Sequence, residues 1–303
     1  MKTIIQKSVF AATLVLLATQ AFAGIDAIKA SNNQVGIQYV NTNIDYTETL
    51  PDGTKADTEN GQVPGFGFSI SVMKDLFLGN DYFQAQFSRL NGSTNYVGSY
   101  VVPTYVGVPI GAYGSLSQSD SAQVTDFSAR YGKGFDIKDN LMLTPYIEIG
   151  RHEWKRTLGA GCMLAAVASC GSSEDYTNNY WGLGVLGQVS PASNIVLTAN
   201  AFLGRTFSSS ISGSGQGYAV GIPASTTSFG DQGLGNSTIY KVGASADYAF
   251  TDTIHGNIGL DYVSFDYGKS DLFSPNPLIA PYAFEPDSKT RYTTVKVGLG
   301  YAF

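Results

Sequence analysis

The stretch from Arg291 to Phe303 (RYTTVKVGLGYAF) alternates strictly and stops on an aromatic residue. Thr293, Val295, Val297, Leu299, Tyr301 and Phe303 fall on one face of a strand; Thr294, Lys296, Gly298, Gly300 and Ala302 fall on the other, because successive β side chains point to opposite sides. An apolar face that ends in Tyr and Phe suits lipid with an interfacial aromatic girdle. The small, polar face suits the lumen of a barrel.

The opposite end carries an export pattern. Lys2 and Lys7 form a positive segment, Phe10 to Ala18 is an apolar run, and Ala21-Phe22-Ala23 supplies small residues for a peptidase, which predicts a cleaved signal over 1–23 and a mature chain over 24–303. The apolar run is too short to cross about 30 Å of hydrocarbon as a helix, and no later window approaches the roughly 18 apolar residues of a membrane helix. Composition points the same way. Gly 35, Tyr 19 and Phe 17 stand beside only 14% charged residues, where a soluble domain carries about 25%. Without Lys2 and Lys7, 16 basic residues face 24 acidic ones, a net charge of −8 that argues against nucleic acid as a partner.

Period-two patterning predicts about ten strands, near 34–46, 62–73, 81–91, 121–133, 141–155, 178–190, 194–207, 237–250, 253–267 and 289–303; eight or twelve remain possible because 92–120 and 208–236 have room for another hairpin. Short turns rich in Asp, Asn, Ser and Pro recur at 74–75, 136–140, 191–194 and 251–253, where these side chains preset φ or bond the nearby backbone. Between them lie long segments near 47–61, 92–120, 156–177, 208–236 and 268–288. This alternation predicts an antiparallel transmembrane β-barrel with short periplasmic turns and long extracellular loops, both chain ends lying on the short-turn side.

The chain resembles the small outer-membrane β-barrels of Gram-negative bacteria, the superfamily that includes opacity-type surface antigens, in its terminal alternating strand, its final Phe303 and its strand pattern. The resemblance implies residence in the outer membrane, contact with its lipid, and Phe303 as part of the signal read by the barrel-assembly machinery. It also implies a surface protein that binds through its loops.

The inward faces carry Asp126, Arg130, Glu148, His152, Lys241, Asp247, Asp261 and Lys296. Charges of both signs in a narrow barrel are costly unless paired, so an internal ion-pair network is expected; a selectivity ring for solutes is the alternative. The two histidines restrict enzymatic readings. Barrel phospholipases and deacylases carry His-x-Ser and omptin-type proteases carry Asp-x-His, and neither motif surrounds His152 or His255. His152 with Glu148 or Glu153 is the remaining acid/base pair, and catalysis is not expected. Gly182-Leu183-Gly184-Val185-Leu186-Gly187 matches a dinucleotide fingerprint in form only, since no helix follows it. No cofactor or metal is implied.

Cys162 and Cys170 form an even pair in an exported chain and predict a disulfide, with zinc the alternative. Asp52, Asp57 and Glu59 match no calcium template and read as a solvated loop. The long loops are unusually apolar: Tyr105, Val106, Val108 and Ile110 in one, Phe273, Tyr282 and Phe284 in another. Such residues need a partner. They pack together as a lid, contact lipid or a neighbouring barrel, or bind a host surface or an apolar ligand. The expected function is therefore that of a non-enzymatic surface protein acting in adhesion or ligand binding, with a narrow porin-like channel as the alternative and a hydrolase as a distant third.

Overall fold

In a computed structural model the described residues are 24–98, 100–101, 109–110, 112–158, 172–216, 226–272 and 284–303. Ten long strands follow one another: β1 (Gln34–Thr49), β2 (Lys55–Lys74), β3 (Asp81–Gly98), β4 (Leu116–Lys133), β5 (Leu141–Leu158), β6 (Ser172–Ala192), β7 (Ile195–Gln216), β8 (Thr238–Ala249), β9 (Ile254–Tyr267) and β10 (Asp287–Ala302). Each pairs antiparallel with its sequence neighbours. β1 also pairs with β10, from Gln34 opposite Ala302 to Thr49 opposite Asp287, which closes the sheet into a ten-stranded barrel and leaves no open edge.

The alternation sorts the side chains as the sequence predicts. Val35, Ile37 and Tyr39 on β1 face outward beside Tyr301, Leu299 and Val297 of β10, and Phe66, Phe68, Phe83, Phe87, Ile147, Leu183 and Leu260 continue the exposed apolar belt around the wall. Such a surface is stable only against hydrocarbon. The β2–β3, β4–β5, β6–β7 and β8–β9 connections are short and lie at one end; the longer β3–β4, β5–β6, β7–β8 and β9–β10 connections lie at the other.

Three features differ from the sequence reading. The segment 47–61 is mostly strand, because β1 and β2 run on to a tight turn at 50–54, where Asp52 accepts bonds from the Thr54 amide (2.9 Å) and hydroxyl (2.6 Å). These bonds hold the Asp52 carboxyl below the ordinary carboxylate range. The segments 92–120 and 208–236 do contain extra strand, as a small hairpin of 100–101 with 109–110 and as a strand at 226–233 that pairs with the extension of β7, but neither adds a stave to the wall. A further short strand, 135–138, occupies the β4–β5 connection and pairs with β5.

The third difference is a helix, α1 (Ile25–Ser31), too short to give a periodic signal. Its Ile28 is fully buried, and the helix packs against β5, β6 and β7 across the short-turn mouth. Asn33 locks it in place by a reciprocal pair with the Met73 backbone (2.9 and 3.0 Å), and Asn32 reaches the Gln188 side chain at 2.8 Å. The helix stoppers that end wall alternation at Ser31-Asn32-Asn33 thus become the contacts of a plug.

Candidate functional site

The interior is layered. Above α1, at the short-turn end, Asp247 Oδ1 meets His255 Nδ1 at 2.6 Å; farther along the wall Asp261 meets Lys296 at 2.6 Å. A cavity of about 290 Å³ lies above the plug, lined by glutamines, serines and these charged groups.

The middle layer is built around Glu148. Arg130 Nη2 lies 2.8 Å from one of its oxygens and Lys241 Nζ 2.8 Å from the other, while the Lys241 ammonium also sits over the Tyr180 ring, 3.9 Å from its centroid. The strands that carry these groups must let large rings lie flat against them. A side chain at Gly184 would run into the Tyr146 ring, and one at Gly150 into the Tyr180 ring. That explains the glycine run at 182–187: it makes room for aromatic groups across neighbouring strands, not for a pyrophosphate.

Next above, His152 on β5 bonds Asp126 through Nδ1 (2.6 Å) and the Tyr292 hydroxyl through Nε2 (3.0 Å), with Phe265 edge-on against its ring. Every residue of the expected lumen set therefore lies within bonding distance of an acidic or basic partner inside the barrel. His152 does not pair with Glu148, which Arg130 and Lys241 hold, nor with Glu153, which faces outward and bonds Arg151. Neither candidate pairing of His152 with Glu148 or Glu153 is formed.

The uppermost layer was missed from sequence. Arg156 forms ion pairs with Glu174 (2.7 Å), Glu48 (3.1 Å) and Glu59 (3.1 Å), and its guanidinium stacks near Tyr46, Trp154 and Tyr176. Asp57 bonds Glu48, and Tyr176 donates to Glu285 from the β9–β10 connection at 2.5 Å. Asp57 and Glu59 are therefore buried, not part of a solvated loop, because the inward phase of β2 continues through them. Burial first, then the charges of Glu48 and Glu174, push the Glu285 carboxyl well above its ordinary range.

Of the loop candidates, Phe284 is half-buried with Lys269 Nζ over its ring at 4.3 Å, and Ile110 pairs with Tyr100 in the small hairpin. Tyr105, Val106, Val108, Phe273, Tyr282, Cys162 and Cys170 lie outside the described residues, as does the expected signal over 1–23. Phe303 is exposed at the end of β10, and the Lys74 ammonium lies 5.7 Å from its ring centroid.

No known family pattern matches the chain, and no curated protein matches it. Solved structures do. The outer membrane protease OmpT from Escherichia coli aligns over 90% of this chain and 98% of its own, at 12% identity and a TM-score of 0.52. The translocator domain of the autotransporter NalP from Neisseria meningitidis (12% identity, 92% of each chain, TM-score 0.40) and the toluene transporter TodX from P. putida (11% identity, 93% of each chain, TM-score 0.39) align more loosely. The fold is that of the small outer-membrane β-barrel proteins. Fold at this identity does not carry activity.

Proposed function

We propose that this chain is an integral outer-membrane protein, exported by a cleaved signal, whose closed barrel is a non-enzymatic platform for long extracellular loops that bind a host surface or an apolar ligand. The observation that carries the reading is the bridging of the lumen by side chains at two levels. Tyr46 and Tyr176, on strands at opposite sides of the wall, have hydroxyls 3.3 Å apart, and Trp154 packs on both rings. Below them His152 and Tyr292 span the barrel a second time, and α1 covers the far mouth. Purified protein in planar bilayers is expected to show no stable conductance steps. Regular steps at moderate voltage would replace this reading with that of a narrow channel, which the 290 Å³ polar cavity favours as the second possibility.

Binding is assigned to the loops because the wall has no other use for them. An apolar surface facing water is costly unless it is packed or bound. Attachment of cells expressing the protein, compared with cells lacking it, tests the binding half of the proposal.

A further inference from the structure

Two neighbouring short turns are chemically unlike the other two. The β6–β7 turn presents Ser193-Asn194 and the β8–β9 turn presents Thr251-Asp252-Thr253 with a single exposed aromatic, Phe250, whereas the β2–β3 turn presents Leu76, Phe77 and Leu78 in a row. Phe77 is 84% exposed, Leu76 61% and Leu78 58%. Beside them, on the β4–β5 connection, Phe135 and Ile137 are also about half exposed.

These side chains are held out by a built scaffold. One oxygen of Asp81 accepts the backbone amides of Leu76, Phe77 and Leu78 at 3.0, 2.8 and 2.9 Å, and its other oxygen accepts the Tyr131 hydroxyl at 2.6 Å. Asp75 accepts the Asn80 amide at 2.6 Å, and Asn80 and Gly79 take the left-handed conformation that turns the chain back (φ 50 and 75). Asn80 also donates to Asp136 at 3.3 Å, and its carbonyl accepts the Gly134 amide at 2.9 Å, so the two turns are bonded to each other. Five apolar groups on a braced support form a surface, not a frayed loop.

We infer that this corner is a foot seated in the headgroup–acyl boundary of the phospholipid leaflet on the short-turn side. Two observations select lipid as the occupant. The patch is continuous with the lipid-facing belt, since Phe135 pairs with outward Leu143, and Tyr131 joins the belt to Asp81. Lysines border it: Lys133 bonds the Leu78 carbonyl and sits 5.5 Å from the Phe135 ring, and Lys74 sits over Phe303. Apolar side chains beside basic ones whose stems lie along them suit an interfacial anchor.

The test uses Phe77→Trp in a Trp181→Phe background, where the remaining Trp154 is fully buried in the lumen. Heat-modifiable migration establishes that the variant is folded, and Leu78→Trp serves if it is not. In vesicles of phosphatidylcholine brominated close to the headgroup, the added emission is expected to be blue-shifted and quenched about twofold more than by bromines at the chain ends, the depth pattern of groups seated roughly 5–10 Å into the boundary. Red-shifted emission that no bromolipid quenches overturns the inference. So does emission that is shielded yet unquenched and becomes red-shifted on dilution into excess lipid, which would make a second copy of the chain the occupant.

Discussion

His152 Nε2 lies 3.0 Å from the Tyr292 hydroxyl, joining β5 to β10 on opposite sides of a ten-stranded wall. A contact of that kind divides the lumen at its level. It also ties together strands that share no backbone bonds, so the side chains, and not the ladder alone, set the cross-section.

Tyr292→Phe keeps the ring that fills the lumen and removes only the hydroxyl. Loss of one hydrogen bond is expected to lower the unfolding free energy by about 1 kcal/mol, with conductance unchanged. Urea unfolding in vesicles and bilayer recordings of the same preparation measure both quantities. A new conductance in this variant would mean that the hydroxyl, not the packed rings, closes the barrel.

Arg156 is the cation for Glu48, Glu59 and Glu174, all in a layer with little access to water. Arg156→Met leaves like charges buried together and is expected to cost about 3–5 kcal/mol at neutral pH, as for other buried pairs broken from one side. Acidification neutralises carboxylates and should recover part of the loss in the variant. Heat-modifiable migration at pH 7 and pH 4.5 reads this difference, and equal losses at both would show that the guanidinium acts by packing alone.

Glu285 gives a second pH dependence with a defined sign. Its carboxyl is raised above the ordinary range by burial and by Glu48 and Glu174; Asp57, Glu59, Tyr46 and Tyr176 share the same layer, and Arg156 opposes the shift. A group with a raised folded pKa binds its proton more tightly when docked, so docking of 284–286 is strongest below the unfolded value of about 4.3 and weakens as pH rises through the higher folded value. Glu285→Gln should remove that dependence and hold the segment at neutral pH, since a Gln carbonyl can still accept from Tyr176. Hydrogen exchange at 284–288, corrected for intrinsic rates, is the measurement; protection in the wild type that rises with pH contradicts the assignment.

The parts of this fold that were legible in sequence are those governed by period two. All ten wall strands and their outward belt follow from alternation, and so do the paired lumen charges. The Arg156 layer was legible in principle: Tyr46 and Glu48 keep the inward phase of β1, and Asp57 and Glu59 keep that of β2. Reading acidic residues beside Pro51-Asp52-Gly53 as loop broke the phase too early. Two things could not be read. Seven residues are too few for α1 to show a helical period, and the partner of an inward side chain depends on which strands face each other across the barrel, which the sequence of one strand does not encode.

Phe303 lies outward at the foot of β10, in the register of Val297, Leu299 and Tyr301. Phe303→Ala is expected to reduce assembled protein in the outer membrane severalfold while export continues. Fractionation with heat-modifiable gel shift measures this, and wild-type amounts of folded barrel would make the aromatic group incidental to assembly.

The loop between β3 and β4 separates the two functional readings. Tyr105, Val106, Val108 and Ile110 fall between strands that already cross the membrane, and the barrel closes without them, so replacing all four by Ser should leave heat-modifiable folding intact. If these residues form the binding surface, attachment or ligand binding falls at least about tenfold, a loss of roughly 1.4 kcal/mol that removal of a few apolar anchors readily exceeds. A lid instead predicts unchanged attachment and, with Tyr46, Tyr176 and Tyr292 still bridging the lumen beneath it, only a small rise in current. Attachment and conductance measured on the one variant therefore assign the loop. If neither changes, the binding function moves to the connections after β5, β7 or β9.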